Sequence, residues 1–278
     1  MSEFLPLVTI ITPSYNQGEF IGDCMRSVMN QTYKKIEHII IDNESTDQTD
    51  EVVKSYQGKY NMIYIREKDS GQANAINKGF KLSKGEIICW LNSDDFYFDD
   101  NCIEKVIEIF SQNSEVDVVT GNGYFSDRNG NLSRPIIVNP KRITEKRIKY
   151  VDDILQPSTF WKKNNLILNE RYNYVFDWDF FIRFFENKLN FFVSNDYFSV
   201  YRMYENNKTG EDTAKRKFEV YLIQKKYQGK FDINIAWCYF VYLCYKMSEK
   251  LNLKFIKKLM YIINRIFYRI FMGRICSC

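Results

Sequence analysis

Short apolar runs alternate with amphipathic segments through the first half of the chain. The apolar runs have the length of buried strands and lie at 7–12, 37–42, 62–66 and 87–91. The other segments carry apolar residues at helical spacing and lie at 20–30, 46–56, 72–82 and 101–110. Strands and helices that alternate at such short intervals predict parallel βαβ units with right-handed crossovers. The pattern therefore predicts an α/β fold with a Rossmann-like, mostly parallel central sheet flanked by helices.

The second half of the chain has a more varied pattern. We predict a strand at 116–120, a hairpin over 121–137, a strand at 156–162 and two short strands at 191–193 and 197–201. The basic segment 141–150 predicts a surface helix or loop. Apolar spacing over 176–185 predicts an amphipathic helix with Asp177 at its N-terminus, where the helix dipole stabilises an acid. On the residues alone, a cap is the simpler interpretation of Asp177.

Polar residues end the predicted strands at the edge where ligands bind in open α/β sheets. Thr12, Asp42, Arg66 and Asn92 end the four strands of the first half, so we expect them along one edge. No GxGxxG motif follows the first strand and the sequence contains no GxxxxGK[ST] motif, which argues against a dinucleotide site and a P-loop. The edge is therefore predicted to bind a nucleotide without either motif.

The tetrad Asn92-Ser93-Asp94-Asp95 directly follows the last of these apolar runs. Two adjacent carboxylates at a strand end repel each other and lose solvation, and a cation normally offsets that cost. Oxygen ligands of this kind suit Mg²⁺ or Mn²⁺ together with substrate phosphates. The alternative is structural, with Asp94 capping the helix that follows and Asp95 solvated. The tetrad alone leaves both interpretations open.

Composition and charge narrow the classes of function. With 278 residues, the chain fits one large domain or a domain with an appendage, and its net charge of +4 does not by itself indicate nucleic acid binding. Seven scattered cysteines fit a reduced, cytosolic compartment and argue against zinc. The single histidine, His38, lies in an apolar run and is expected to be a strand residue. We expect no secretory signal, and no run reaches the roughly 18–20 apolar residues of a spanning helix.

The segment 254–275 combines a basic stripe with an apolar one. At helical spacing Lys254, Lys258, Tyr261, Arg265 and Arg269 fall on one side, and Phe255, Leu259, Ile262, Ile263, Ile266, Phe267 and Ile270 fall opposite. A basic amphipathic helix of this type binds an anionic membrane surface. The alternative is a helix that packs on the rest of the protein and keeps a solvated basic face.

The chain resembles the family 2 glycosyltransferases with a GT-A fold, of the kind that build bacterial surface polysaccharides. Six stretches carry the resemblance, in the right order and with the right gaps: VTIITPSYNQGEFI, QTYKKIEHIIIDNESTDQTDEVV, EKDSGQANAINKGFKLSKGEIICWLNSDDFY, QPSTFWK, DWDFFIRF and YRMYENNKT. The resemblance covers about 7–208. It implies a catalytic domain over 1–210, with a nucleotide-sugar half at about 1–120 and an acceptor half at about 121–210. A helical extension would follow at 211–278.

The resemblance assigns a donor site by position. Thr12, Pro13 and Tyr15 would hold the base of the nucleotide, and Asp42 would accept from its imino N–H. Asp69, Asn77 and Lys78 would line the ribose and the diphosphate. The implied donor-binding residues also include Asn92, which stands where many relatives have an aspartate, Ser93, and Arg202 as a phosphate contact.

The resemblance also assigns a metal site and a catalytic base. Asp94 matches the metal-binding aspartate, Asp95 would assist it, and the ion would be Mn²⁺ or Mg²⁺. Asp177 matches the general base of the inverting members, which takes the proton from the acceptor hydroxyl, and the resemblance favours this role over the cap. Phe176 stands where many relatives have glutamate. Tyr204 stands where relatives often have a histidine, which leaves a third protein ligand open.

The expected function is metal-dependent, inverting transfer of a sugar from a nucleotide diphosphate, a uridine diphosphate sugar by resemblance. The acceptor would be a glycan or a polyprenyl-diphosphate-linked saccharide in surface polysaccharide (O-antigen or capsule) synthesis. The protein is expected in the cytoplasm, peripherally bound to the inner face of the cell membrane, without a nucleic acid partner. One alternative is a non-catalytic, membrane-associated protein that binds nucleotide sugars, as Asn92, Phe176 and Tyr204 suggest. The other is a sugar nucleotidyltransferase, which would need basic residues in a Gly-rich loop after the first strand, and 13–18 has none.

Overall fold

The computed structural model describes residues 5–205, 207–208, 213–228 and 233–275. Helices and strands alternate through the first half as the apolar pattern predicts. The strands are β1 (Val8–Ser14), β2 (Ile36–Asp42), β3 (Met62–Arg66), β4 (Ile87–Trp90) and a short β5 (Phe96–Tyr97). The helices are α1 (Ile21–Met29), α2 (Thr49–Ser55), α3 (Gln72–Leu82) and α4 (Cys102–Gln112). Only β5, which is two residues long, was not predicted.

The second half differs more from its predicted elements. It contains β6 (Val118–Ser126), β7 (Leu132–Ile136), α5 (Glu145–Ile148), β8 (Thr159–Lys162), α6 (Phe176–Glu186) and β9 (Phe191–Arg202), with 3-10 turns at Pro140–Arg142 and Gln156–Ser158. The two short strands predicted at 191–193 and 197–201 are one strand. The polar residues between them form an irregularity in its pairing with β6, where Thr120 pairs with Val193 and Asn122 with Tyr197.

The described strands form one nine-stranded sheet in the order β3-β2-β1-β4-β8-β6-β9-β5, with β7 paired to β6. The pairs among β1, β2, β3 and β4 are parallel, whereas β8 runs antiparallel to both β4 and β6. The chain leaves β3 through α3 and returns as β4 on the far side of β1. This reversal of strand order creates a switch point between β1 and β4, and ligands bind in the crevice at such a point.

An aromatic cluster fixes α6 against the middle of the sheet. Trp90 of β4 lies 5.5 Å from Trp161 of β8 and 6.1 Å from Phe181 of α6, measured between ring centroids. Phe180 lies 5.7 Å from the Trp90 ring, and both phenylalanines are fully buried. Because burial of such rings contributes roughly 1.5–3 kcal/mol each, the N-terminal end of α6 is held beside the carboxyl end of β4.

Both ring nitrogens of the buried His38 are paired. His38 Nε2 lies 2.8 Å from the Thr12 hydroxyl, and Nδ1 lies 2.7 Å from the Tyr60 hydroxyl. Burial lowers the pKa of His38 to about 3, so the imidazole is neutral. The predicted strand position of His38 is confirmed. Cys89 is a buried thiol of β4.

Three helices follow the sheet: α7 (Ala214–Gln228), α8 (Ile233–Lys250) and α9 (Lys254–Ile275). α7 contributes Ile223 to the main core, and its Glu219 accepts from the backbone N–H groups of Asn173 and Tyr174 at 2.7–3.0 Å. The predicted domain boundary at 210–211 lies outside the described residues and stays a prediction. In the ranges that the structure describes, no helix is both long and apolar enough to cross a membrane.

The predicted apolar stripe of α9 is divided between packing and exposure. Phe267 stacks on Trp237 of α8 at 4.5 Å, and Ile263 packs in the same cluster. Five other members of the stripe stay 49–65% exposed: Phe255, Leu259, Ile262, Ile266 and Ile270. α9 therefore packs on its neighbour and still presents an apolar surface.

Candidate active site

A cavity of about 740 Å³ opens at the switch point. The ends of β1 and β4, the loop before α3, the start of α6 and the loop after β9 surround it. Eight of the predicted site residues line it: Pro13, Tyr15, Asp69, Asn92, Ser93, Asp94, Asp95 and Asp177. The fold thus brings residues that are up to 164 positions apart (177 − 13) to one place.

The two adjacent carboxylates, Asp94 and Asp95, follow the end of β4 and are fixed by hydrogen bonds from neighbouring residues. Asp95 is 2% exposed, and its oxygens accept from the Arg202 backbone N–H at 3.0 Å and from Asn92 Nδ2 at 3.2 Å. Asp94 Oδ2 accepts from the Tyr204 hydroxyl at 3.0 Å. Burial raises the pKa of both carboxyls, and the charge of Asp94 raises that of Asp95 further.

The structural alternative for the tetrad is wrong. The N-cap residue of α4 is Asn101, and no side chain caps that helix, so Asp94 does not cap it. Asp95 is buried rather than solvated. A buried and a half-buried carboxylate side by side at the edge of a cavity form an environment in which a cation would offset the repulsion.

The chemistry of this loop fits a divalent ion. Mg²⁺ is commonly bound by one or two carboxylates together with substrate phosphates and water. Across the described residues, no group of three or more His, Cys, Asp or Glu converges on one point, so phosphate and water would complete the coordination. An amide suits position 92, because Asn92 donates a hydrogen bond to Asp95, whereas a carboxylate at that position would repel Asp95.

Arg202 lies behind the acidic loop rather than in the cavity. It is 2% exposed, and its guanidinium donates to Asp94 O at 2.9 Å, to Arg128 O at 2.6 Å and to Asp23 Oδ2 at 2.8 Å. The rings of Phe20 and Phe96 lie 4.9 and 5.3 Å from it. Through these contacts the Arg202 guanidinium fixes the loop that carries Asp94.

Arg202→Gln is expected to lower the free energy of unfolding by about 3 kcal/mol, since three buried contacts are lost at once. The matched control is Arg26→Gln. Arg26 also pairs with Asp23, with Nη1 3.2 Å from Oδ1, but its side chain is 58% exposed. We expect that control to change stability by less than about 0.5 kcal/mol. Denaturant unfolding of both variants makes the test, and equal losses would contradict the role of Arg202.

Four other predicted donor-site residues also point away from the cavity. The Thr12 hydroxyl donates to Leu91 O at 2.8 Å, and Asp42 is fully buried and accepts from the Ser45 backbone N–H at 2.9 Å. Asn77 bonds the backbone of Leu168, and Lys78 pairs with Glu67 at 2.8 Å. Each side chain is occupied in holding the wall together. The predicted contacts of Thr12, Asp42, Asn77, Lys78 and Arg202 with a donor stay predictions.

Asp177 lies in the first turn of α6 and faces the cavity. The helix begins at Phe176 with Val175 as its N-cap residue, and no side chain caps it. Asp177 Oδ1 accepts instead from the neighbouring Trp178 N–H at 2.8 Å. The cap interpretation is therefore wrong. Burial raises the pKa of Asp177, and the nearby charges of Lys208 and Arg216 oppose that rise.

Asp152 is a second carboxylate at this place, and the sequence analysis missed it. Burial raises its pKa well above the ordinary range, and the charge of Asp177 raises it further. Both aspartates line a second cavity described below. The one sequence signal is the acidic pair Asp152-Asp153 after the basic segment 141–150. Asp152 gives Asp177 a carboxylate partner although Phe176 replaces the glutamate.

A chain of side chains that sequence reasoning did not find links the loop after β9 to the acidic loop. Lys208 Nζ donates to Gln72 Oε1 at 2.9 Å, and Gln72 Nε2 donates to Asn92 Oδ1 at 2.9 Å. Asn92 in turn donates to Asp95 and, at 3.3 Å, to Gln156 Oε1. Gly71, just before Gln72, has φ 135°, a conformation that favours glycine and starts α3 at the cavity.

The family sequence model described as "Glycosyl transferase family 2" matches residues 9–161, more than half of the chain. The chain belongs to glycosyl transferase family 2. The matched range contains β1 and β4 with the acidic loop, and Asp177 lies beyond it. The match to the family therefore rests on the half of the chain that forms the switch point.

Curated relatives match part of this chain. An uncharacterized glycosyltransferase of Rickettsia prowazekii, RP339, is 30% identical over 206 residues, which are 70% of this chain and 62% of the relative. TuaG of Bacillus subtilis, a putative teichuronic acid biosynthesis glycosyltransferase, is 36% identical over 117 residues, 41% of this chain and 46% of TuaG. The chain spans about three fifths of the length of the first curated relatives, at 59% and 62%.

Solved structures share the fold. S. aureus TarS 1–349 in complex with UDP-GlcNAc has a TM-score of 0.64 at 18% identity, covering 88% of this chain and 73% of TarS. The mannosyltransferase PcManGT of Pyrobaculum calidifontis, in complex with GDP-Man and Mn²⁺, has a TM-score of 0.63 at 17% identity, covering 82% and 66%. At these identities the likeness establishes the fold, and the predicted GT-A fold with C-terminal helices is confirmed.

Proposed function

We propose that this glycosyltransferase moves a sugar, with inversion, from a nucleotide diphosphate to a hydroxyl of a glycan or polyprenyl-diphosphate-linked saccharide in surface polysaccharide (O-antigen or capsule) synthesis. One observation carries the proposal: a single cavity contains Asp94 and Asp95 from the end of β4 and Asp177 from the start of α6. The printed name of TuaG supports a role in surface polysaccharide synthesis. Neighbours solved with UDP-GlcNAc and GDP-Man support a nucleotide-sugar donor, and a uridine diphosphate sugar is our choice.

The residues that line the cavity have separate roles in the proposed reaction. Pro13, Tyr15 and Asp69 line the cavity. In this proposal, Pro13 and Tyr15 contact the base and Asp69 contacts the ribose. Asp177 takes the proton of the acceptor O–H as that oxygen forms its bond to C1 of the sugar. The bond from C1 to the diphosphate oxygen breaks, and its electron pair leaves with the diphosphate. A Mn²⁺ or Mg²⁺ ion held by Asp94, with Asp95 beside it, would stabilise the charge of that leaving group.

A donor screen by thermal shift tests the proposal. With Mn²⁺ present and a nucleotide sugar at about 100 times its Kd, linkage adds about 2.7 kcal/mol to the stability of the folded state. We expect a uridine diphosphate sugar to raise the melting temperature more than its guanosine counterpart, and the same donor to support transfer. Folded protein with Mn²⁺ that neither transfers nor hydrolyses any donor of the panel would contradict the proposed function.

The pH profile of transfer should report the titration of Asp177 beside Asp152. Transfer needs ionised Asp177, so it is expected to fall as the pH drops through the Asp177 pKa, which burial raises above the ordinary 3.8. Asp152 keeps its proton to higher pH because burial raises its pKa and the Asp177 charge raises it further. Asp152→Asn imitates that protonated partner and should preserve both the rate and the acid limb of the profile. An acid limb that disappears in Asp152→Asn would assign the base to Asp152.

We further propose that the enzyme lies in the cytoplasm and binds peripherally to the inner face of the cell membrane through α9. The exposed apolar side chains of α9 lie among the exposed cations Lys258, Arg265 and Arg269. Such a surface suits an anionic bilayer, because lipid tails cover the apolar stripe and head groups meet the basic side chains.

Co-sedimentation with vesicles tests this attachment. Wild type is expected to bind vesicles of equimolar phosphatidylcholine and phosphatidylglycerol, and to bind pure phosphatidylcholine less. Ile266→Asp should weaken partitioning about tenfold, since a 54% exposed apolar side chain is lost from the stripe. The control is Leu132→Asp, a change at a 51% exposed residue of β7. Equal loss in both variants, or no binding by wild type, would contradict the attachment.

A further inference from the structure

A second cavity, of about 1070 Å³, lies on the other side of Asp177 from the first. Ile154, Tyr174, Asp177 and Arg216 line both cavities and form the wall between them. If the first cavity holds the nucleotide sugar, as proposed above, the attacking hydroxyl must reach Asp177 from elsewhere. The second cavity provides that approach, and the present inference rests on the proposed function in this respect.

Cations converge on the second cavity from three separate parts of the chain. Lys141, Arg142 and Arg147 come from the segment after β7, Arg216 comes from α7, and Arg269 comes from α9. A single basic surface helix would not produce this arrangement. It results from the packing of α7 and α9 beside the 139–153 segment.

The basic side chains that line the cavity outnumber the acidic ones. Asp152, Asp153 and Asp177 are the carboxylates that line it. Arg147 Nε bonds the carboxylate of Asp153, and Arg142 Nη1 lies 4.0 Å from the same group. Five basic side chains therefore line the cavity with three acidic ones, and Arg147 and Arg142 share one of the three, Asp153.

We propose that the second cavity binds a phosphate group of the acceptor, which places the acceptor hydroxyl against Asp177. Arginine recognises phosphate by paired, charge-assisted hydrogen bonds, and more than one arginine reaches this cavity from different elements. Arg269 lies on α9 next to Ile266 and Ile270, which are 54% and 58% exposed. A hydrocarbon chain attached to the phosphate would find that apolar surface beside the cations.

The test uses inorganic pyrophosphate and geranyl diphosphate as probes, titrated by calorimetry into the full chain saturated with UDP and Mn²⁺. Saturation keeps the probes out of the first cavity. Wild type is expected to bind, and Arg142→Gln and Arg269→Gln are expected to weaken binding by about tenfold each. Lys146→Gln is the matched control, because Lys146 is exposed on the same segment and does not line the cavity.

The outcomes separate this inference from the proposed function. UDP affinity is measured first for every variant, so a missing donor site and a missing phosphate site are seen independently. Tighter binding of geranyl diphosphate than of pyrophosphate supports a lipid-linked acceptor, and equal binding supports a soluble phosphorylated one. The phosphate site is overturned if neither probe binds, or if all four proteins bind them equally.

Discussion

Asp177→Asn is expected to lower the rate of sugar transfer by about 10³-fold, within the range of general acid–base catalysis. The amide has the size of the carboxylate and can still accept from the Trp178 N–H. It cannot take a proton from the acceptor hydroxyl, so the loss should appear in kcat. The donor contacts other residues of the cavity, and its affinity should stay nearly unchanged. Release of nucleoside diphosphate gives the rate, and calorimetry gives the donor affinity.

The matched control for this change is Asp50→Asn. Asp50 also lies in the first turn of a helix, α2, and also accepts hydrogen bonds, from Lys54 and Tyr64. It does not line the cavity, so transfer should be preserved. Retained activity in Asp177→Asn would exclude its role as the base. If wild type binds nucleotide sugars but turns none over, the protein is the non-catalytic binder.

Asp94→Asn is expected to lower turnover by about 10²-fold or more, because a divalent ion contributes several kcal/mol to charge stabilisation in the transition state. The rise in melting temperature that Mn²⁺ causes with nucleotide should also shrink. Without metal, the variant should melt at a higher temperature than wild type near pH 7. Burial raises the pKa of Asp94, so its ionised form is unfavourable in the folded protein; that cost grows as pH rises from the ordinary 3.8 to the raised pKa and is fully present above it.

Asp100→Asn controls for the loss of one negative charge near the acidic loop. Asp100 is exposed in the turn after β5 and does not line the cavity. It should keep the full response to Mn²⁺ and nucleotide. Equal responses of wild type and Asp94→Asn to Mn²⁺ would remove Asp94 from the metal site, whatever happens to turnover.

The first half of the fold was predictable because its signals are periodic. Each strand is an apolar run and each helix carries an apolar stripe, so β1 to β4 and α1 to α4 follow from the pattern. β9 was predicted as two strands because the polar residues 194–196 resemble a loop. In the structure they form a local irregularity opposite β6. Pairing with a distant strand decides such a case, and no local pattern reports it.

The candidate site was predictable only to the level of strand ends. Parallel topology brings the ends of β1 and β4 together, so Tyr15 and Asp94 could be placed in one crevice. Thr12 and Asp42 also lie near strand ends, yet their side chains turn into the wall. Which way a terminal side chain points depends on the pleat and on the turn that follows. Asp152 comes from a segment without a periodic apolar pattern, so the sequence does not predict where its side chain lies relative to the site.

The wall shared by the two cavities has a consequence for the order in which substrates bind. Asp177 lines both cavities, so if the proposed donor and acceptor sites are correct, both substrates can be bound at the same time. Initial-rate plots for such an enzyme intersect, as for a ternary complex, and no covalent sugar–enzyme species is required. The spent nucleotide and the lengthened saccharide can then depart through different openings, so neither needs to wait for the other.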